Sequence, residues 1–244
     1  MKFWHYLLLV VAAVLLIGSF FLPNAVAGIT DARRLDNRIT IDSQSISFNS
    51  APDLALPERI ALVANRKTEI LPLKTGNAME LEEAKEKAEQ ELTRFLHDSP
   101  FKFNFSGYTV EEGDAALVVD AIDPAHNLII WEFVMIDQSE NKVTVTLDDE
   151  TGFILRLIYK LGSKDDSFIE SGATGSSDDK FYSVAQSLAD MMYDYYGLRV
   201  RLADYELSGN GSTAYYRADL SGNSRVIPMY GAIRSTNFTV NERV

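Results

Sequence analysis

Residues 127–155 read NLIIWEFVMIDQSENKVTVTLDDETGFIL, and this run contains the clearest indication of how the chain folds. Apolar side chains dominate residues 127–136 and alternate with threonines over residues 142–147, as expected for neighbouring strands. Acidic residues then lead into Gly152, which is free to adopt the positive φ of a tight turn. Residues 153–159 return as a further strand, so the run predicts an antiparallel meander.

A helix is predicted before this meander, and a second helix after it. The first spans about residues 80–97, where apolar side chains recur at helical spacing opposite a charged face, and a strand at residues 115–122 follows it. The second spans about residues 179–196 and ends at Gly197. Further strands are predicted at residues 198–207, 213–220 and 225–230, and Pro228 indicates that the last of them lies near a sheet edge.

The predicted fold class is therefore α+β, with a helix packed on an antiparallel β-meander occurring twice. Five parts follow from this interpretation. They are a transmembrane anchor or signal peptide at 1–27, an extended lead-in with a short helix at 28–78, an α+β unit at 79–162, a flexible linker at 163–178 and a second α+β unit at 179–244.

The first 27 residues favour export. No Asp, Glu, Lys or Arg occurs from Phe3 to Thr30, and about 20 uncharged residues can cross a bilayer as a helix. One interpretation is an uncleaved anchor. The other is a signal peptide cleaved near Ala27, because Ala25-Val26-Ala27 has the small-x-small pattern of a cleavage site. Charges on the two sides do not decide the orientation, but an extracytoplasmic body is expected, either anchored in the cell membrane or secreted.

Composition excludes several functional classes. The formal net charge of −12 opposes binding to phosphate backbones, so no nucleic-acid partner is expected. The absence of cysteine excludes disulfides, thiolate metal sites, cysteine nucleophiles and a lipid-modified cysteine. His5, His97 and His126 lack a metal-binding spacing. Neither a metal nor another cofactor is expected.

Acidic residues provide no clear catalytic site. Residues 148–150 form a cluster in the hairpin turn, which we interpret as a solvent-exposed turn rather than a calcium site. Asp120, Asp123 and Asp137 lie in or beside strands and can be considered as the acid pair of a hydrolase. Nothing in the sequence sets their separation, so no catalytic residue is predicted.

Tyrosines form the candidate binding surface. Tyr182, Tyr193 and Tyr196 lie on the second helix, and Tyr215 lies on the sheet that follows it. Tyrosine is frequent in recognition interfaces, whereas core packing is the alternative for each of these residues. We predict that this set contacts a protein or peptide partner.

The first α+β unit resembles the PepSY domain. The resemblance rests on Trp131-Glu132-Phe133-Val134, on residues 143–148, and on residues 148–155, which fit a pattern of a strand followed by D-x-x-T-G-x-I-L. It covers about residues 79–160. The first part of the chain is also similar to uncharacterised membrane-anchored envelope proteins of Gram-positive bacteria. These resemblances imply a cystatin-like fold, an extracytoplasmic location and binding to peptidases or other envelope partners without catalysis.

The leading hypothesis is thus a non-catalytic extracytoplasmic module that binds a protein or peptide and regulates a membrane-associated or envelope enzyme. Two alternatives stay open. One is a small-ligand-binding envelope domain, which would need a pocket enclosed between helix and sheet. The other is an acid-dependent envelope hydrolase, which would need two carboxylates converging in a cleft.

Overall fold

The computed structural model describes residues 54–97, 103–162, 177–209, 212–221, 226–234 and 237–242. All of them belong to the unit Ser47–Val244. The predicted anchor or signal peptide, the first part of the lead-in and most of the predicted linker lie outside the described residues.

Three helices and nine strands are present in this part of the chain. In order they are α1 (Leu56–Ala64), β1 (Thr68–Leu73), α2 (Leu81–Phe95), β2 (Thr109–Asp120), β3 (Asn127–Ile136), β4 (Lys142–Asp148), β5 (Ile154–Lys160), α3 (Ser177–Tyr196), β6 (Arg199–Leu207), β7 (Thr213–Ser221), β8 (Val226–Arg234) and β9 (Asn237–Val240). The strands form one antiparallel sheet in the order β1-β2-β3-β4-β5-β9-β8-β7-β6. The prediction of an α+β fold with helices on an antiparallel meander is confirmed.

Each of the two longer helices precedes four consecutive strands. α2 leads into β2–β5 and α3 leads into β6–β9, and sequential strands are neighbours within each set. The two sets meet through their last strands, because β5 pairs with β9 from Leu157–Val240 to Lys160–Asn237. The two predicted α+β units therefore contribute to one continuous sheet.

The hydrophobic core lies mainly between this sheet and the two longer helices, and the same buried cluster includes Ile60, Leu62 and Val63 of α1. Alternation along each strand directs every second side chain towards the helices. On β3 these are Trp131, Phe133 and Met135, which are buried in one cluster with Ala88 and Leu92 of α2. The second half repeats the arrangement with these buried residues of α3, β7 and β8: Phe181, Ala185, Leu188, Met192, Ala214, Tyr216, Ala218, Met229 and Ile233.

α1 packs against β2, β5 and β8. It begins with Pro57 in its first turn, where a missing N–H costs nothing. Asn241 fixes it to the sheet, because its Nδ2 donates to the carbonyls of Ile60 and Leu155 at 2.8 Å each. α1 also contacts Asp148, which follows core-facing Leu147 on β4 and so points to the other face of the sheet. α1 and α2 thus lie on opposite faces.

Three features of the sheet differ from the predictions. β2 begins at Thr109, well before the predicted residue 115, β8 continues to Arg234 beyond the predicted residue 230, and β9 was not predicted at all. The addition of β9 makes β8 an internal strand, so the expectation that Pro228 marks a sheet edge is wrong for the strand as a whole. Among the described residues, however, β9 pairs with β8 only at Ile233 and Arg234, so Pro228 has a neighbouring strand on the β7 side only.

Candidate binding surfaces

The four tyrosines predicted to bind a partner do not form one surface. Tyr182 and Tyr193 are half-exposed on α3. Tyr215 is exposed to a similar degree, but it lies on β7 next to Tyr216, which is buried in the core that contacts α3. Alternation therefore directs Tyr215 to the opposite face of the sheet. Tyr196 is 6 % exposed and belongs to the core.

Tyr196 and its neighbour Tyr195 connect α3 to the start of β5. The Tyr196 hydroxyl donates to the carbonyl of Ile154 at 2.8 Å. The Tyr195 hydroxyl accepts from the N–H of Ile154 at 2.9 Å and donates to the Glu91 carboxylate at 2.8 Å. Burial raises the pKa of both phenols, so both hydroxyls stay protonated. These contacts assign the two residues to helix packing rather than to recognition.

The acidic turn between β4 and β5 is mostly buried, so the interpretation of residues 148–150 as a solvent-exposed turn is wrong. Arg59 of α1 is 2 % exposed and donates from Nη1 to both carboxylate oxygens of Asp148, at 3.1 and 3.2 Å. Its Nη2 donates to Glu150 at 2.5 Å, and the Thr151 hydroxyl donates to Asp148. Burial raises the pKa of Asp148 and outweighs the lowering effects of the Thr151 hydroxyl and the Arg59 guanidinium.

Asp149 holds the segment that leads into α2. Its carboxylate accepts the backbone N–H groups of Asn77, Ala78 and Met79 at 2.8, 2.7 and 3.2 Å, and the indole N–H of Trp131 at 2.8 Å. These four N–H donors already occupy the carboxylate oxygens of Asp149, and their partial positive charges oppose a metal cation at this position. In the described parts of the chain, no group of three or more acidic or histidine side chains could hold a metal ion.

Of the other three acids, Asp137 is separated from Asp120 and Asp123 by the length of a strand. Asp120 and Asp123 lie at the β2–β3 turn, where Asp123 is 3.3 Å from the imidazole of His126. Asp137 follows β3 at its other end, and its carboxylate accepts the N–H groups of Ser139 and Asn141. Ten residues of strand rise about 30 Å. The structure therefore does not bring Asp137 together with the other two.

β1 forms one edge of the sheet. It pairs with β2 from Thr68–Asp120 to Leu73–Ala115, and the described residues place no strand on its other side. Ile70 and Leu71 at its centre are 48 % and 45 % exposed. From the sequence, these residues were predicted only as a short extended piece. That β1 lies at an edge of the sheet could not be predicted, because this depends on long-range pairing with β2.

A cleft of about 470 Å³ opens beside α1. It lies between α1, the β2–β3 turn and the start of β8. Its apolar lining consists of Leu54, Ala61, Leu62, Val226 and Ile227. Its polar lining consists of Glu58, Asn65, Asp120 and His126. No local sequence signal predicts this site, because its residues come from three distant parts of the chain. The cleft lies beside α1 and is open to solvent, unlike the enclosed helix–sheet pocket that the ligand-binding alternative requires.

Comparisons of the chain with protein-family models, with curated proteins and with solved structures found no match. Within the described ranges, no helix has the length and apolar character needed to cross a membrane. The functional assignment consequently depends on the geometry of the edge strand and the cleft.

Proposed function

We propose that this protein is a non-catalytic binding module that adds an extended segment of a partner protein to the free edge of β1. The observation that carries the proposal is the exposure of Ile70 and Leu71 on a strand with one neighbour among the described residues. An edge strand presents unpaired N–H and C=O groups, which another extended chain can satisfy. Main-chain hydrogen bonds then provide affinity, and side-chain pockets provide selectivity.

The other edge of the sheet is a useful contrast. The exposed side chains of β6 include Arg199, Arg201, Asp204 and Glu206, and the register shifts between Leu202 and Asp204. Charged side chains and bulges are features that protect edge strands from unwanted pairing. β1 also carries an exposed Glu69 and Pro72, but it has no bulge among the described residues and exposes two aliphatic side chains at its centre. It is therefore the edge better suited to accept a partner.

The chemistry of β1 indicates the kind of segment it would bind. Ile70 and Leu71 are consecutive and point to opposite faces of the sheet, so an added strand would contact an aliphatic side chain on each face. Exposed Lys67 and Lys74 lie at the two ends of the strand. We therefore expect an extended segment with apolar residues at its centre and acidic residues at its ends.

Selection of random peptides displayed on phage against the full-length chain in detergent tests this proposal. Enriched peptides should have the expected pattern, and their binding should slow hydrogen exchange at the amides of residues 68–71. Ile70→Lys and Leu71→Lys should each abolish the binding. Ile122→Lys is the matched control, because Ile122 is an exposed aliphatic residue outside the strand.

Tyr182 and Tyr193 on α3 form the alternative peptide-binding surface, and the same experiment distinguishes it from the edge of β1. A combined Tyr182→Ala and Tyr193→Ala variant should retain peptide binding. If this variant loses binding while Ile70→Lys retains it, the helix is the binding surface and strand addition is wrong. Failure to enrich any peptide would contradict the proposed function altogether.

We further propose that the body acts outside the cytoplasm, anchored by residues 1–27 or secreted after cleavage near Ala27, and that it regulates a membrane-associated or envelope enzyme. The uncharged run from Phe3 to Thr30 supports export. Protease added to intact cells that express an anchored chain should degrade the body while a cytoplasmic marker survives. Survival of the body together with the marker would place it inside the cell.

We also propose that the chain arose by duplication of a PepSY-like unit of one helix and four strands. Support comes from the repeated order of a helix followed by four strands, and from the antiparallel pairing of β5 with β9, which are the last strands of the two sets. The turn after β4 supports the resemblance in particular, because Gly152 has φ +71° and Thr151 bonds to Asp148 within the D-x-x-T-G pattern.

A further inference from the structure

We infer that the cleft beside α1 binds a long basic side chain, arginine or lysine, presented by a protein partner. This inference goes beyond strand addition at β1, because it concerns different residues and a different mode of recognition.

The apolar part of the cleft suits the aliphatic stem of such a side chain. Ala61 and Leu62 provide one wall from α1, and Val226 and Ile227 provide another from the start of β8. Arginine and lysine side chains bury their methylene groups along apolar surface while the charged end stays near water or a counter-ion. An open cleft with aliphatic walls permits this arrangement.

Two carboxylates supply the counter-ions. Glu58 belongs to α1 and Asp120 to the end of β2, so they reach the cleft from separate elements. Each is fixed through one oxygen, since Glu58 accepts the N–H of Ala55 at 3.3 Å and Asp120 accepts the N–H of Ile122 at 2.8 Å. In the described structure the second oxygen of each has no hydrogen-bond partner, and it can accept from a cation.

The charge balance of the cleft favours a cation over an anion. No lysine or arginine is present in its lining within the described residues. The imidazole of His126, also in the lining, lies 3.3 Å from the carboxylate of Asp123, which adds a further negative charge beside the cleft. Lys67 lies at the neighbouring end of β1, but the carboxylates of Glu58, Asp120 and Asp123 outnumber it, so the cleft favours a basic ligand over an acidic one. A cation that lacks an aliphatic stem would leave the apolar walls exposed to water.

Nuclear magnetic resonance of the isotopically labelled full-length chain in detergent micelles tests the inference. The probes are N-acetyl-arginine amide, N-acetyl-lysine amide and the neutral analogue N-acetyl-citrulline amide. The two basic probes should shift the backbone amide signals of Ala61, Leu62 and Ile227. Citrulline has nearly the same shape without the charge, and its affinity should be lower by about tenfold.

A combined Glu58→Gln and Asp120→Asn variant should lower the affinity for N-acetyl-arginine amide by about tenfold. The amide oxygens of the new side chains can still accept the local N–H bonds, so the rest of the spectrum should be unchanged. Glu82→Gln is the matched control, because Glu82 is exposed on α2 and remote in sequence from the cleft. The Leu71→Lys chain should also bind the probe normally, because Leu71 points to the face of the sheet opposite to Asp120, and this separates the inference from strand addition.

Three results would overturn the inference. They are an absence of shifts with both basic probes, equal affinities for arginine amide and citrulline amide, and full retention of binding in the Glu58→Gln and Asp120→Asn variant.

Discussion

The guanidinium of Arg59 and the carboxylate of Asp148 form a buried ion pair that joins α1 to the turn between β4 and β5. Arg59 Nη1 lies 3.1 and 3.2 Å from the two oxygens of Asp148, and Arg59 Nε donates to the carbonyl of Leu54 at 2.8 Å. Asp149, the next residue, holds the start of α2 on the opposite face. One turn therefore positions a helix on each side of the sheet.

Removing one partner of this pair should be costly. Arg59→Met leaves the Asp148 carboxylate buried without its counter-ion, and we expect the free energy of unfolding to fall by about 3 to 5 kcal/mol. Urea titration of the full-length chain measures this change. The combined Arg59→Met and Asp148→Leu variant should regain a large part of the loss, because no uncompensated charge is left inside. A double variant whose loss equals the sum of the two single losses would show that the groups do not interact.

The loop that leads into α2 should depend on Asp149. Asp149→Ala leaves three backbone N–H groups and the Trp131 indole without their acceptor, and we expect a loss of about 3 kcal/mol or more. Asp149→Asn keeps one acceptor oxygen and should cost less. In a Trp4→Phe background, where Trp131 is the single tryptophan, fluorescence reports the change directly, with a shift to longer wavelength as water reaches the indole. Glu82→Ala, an exposed acid of α2, should leave both stability and fluorescence unchanged.

The two kinds of tyrosine on α3 should respond differently to substitution. Tyr196→Phe removes one hydroxyl that donates to Ile154, and it should lower the free energy of unfolding by about 1 kcal/mol. Tyr193→Ala removes an exposed side chain and should change it by less than about 0.5 kcal/mol. Thermal unfolding followed by circular dichroism distinguishes these values. A larger effect at Tyr193 than at Tyr196 would contradict the burial of Tyr196.

Stability should fall in alkaline solution because several phenols are buried. Burial raises the pKa of Tyr108 to about 12, with a further contribution from its hydrogen bond to Glu89, and burial also raises the pKa of Tyr195 and Tyr216. The folded chain then holds protons that the unfolded chain releases near pH 10, so this contribution is complete below about pH 10 and is lost as the pH rises. The urea midpoint should therefore decrease above that pH.

Tyr108→Phe provides the control for this pH dependence. The variant lacks one of the perturbed phenols, so its urea midpoint should fall less steeply with pH than that of the unchanged chain. Identical slopes for the two chains would show that Tyr108 does not contribute.

The parts of the fold that the sequence predicted well are those with a strong local period. β3 matches its predicted bounds, and α2 differs from its prediction only at the ends, because apolar side chains recur regularly along both. The first half of β2 was missed, since Glu111, Glu112, Gly113 and Asp114 interrupt the apolar pattern there. β9 has only four residues, too few for a period to be recognised. Long-range pairing, not local preference, determines both of these strands.

The candidate sites were much less predictable. Tyr196 was predicted to bind a partner together with Tyr182 and Tyr193, yet of these three only Tyr196 is buried. The three residues lie close together around the helix axis, so neither residue type nor helical spacing distinguishes the tyrosine that packs from those that are exposed. The burial of Asp148 depends on Arg59, which lies far away along the chain. The cleft likewise combines residues from α1, the β2–β3 turn and β8. Each of these sites exists only once distant segments have come together.

The central position of β9 has a consequence for how the protein reaches its native state. β9 follows every other described strand along the chain, yet it lies between β5 and β8. A polypeptide emerging stepwise from a ribosome or a translocation channel can form the β2–β5 hairpins early, but the two halves cannot join until residues 237–240 arrive. Loss of those residues would split the sheet in its middle rather than shorten it at a margin, so quality control of this protein should be especially sensitive to late truncations.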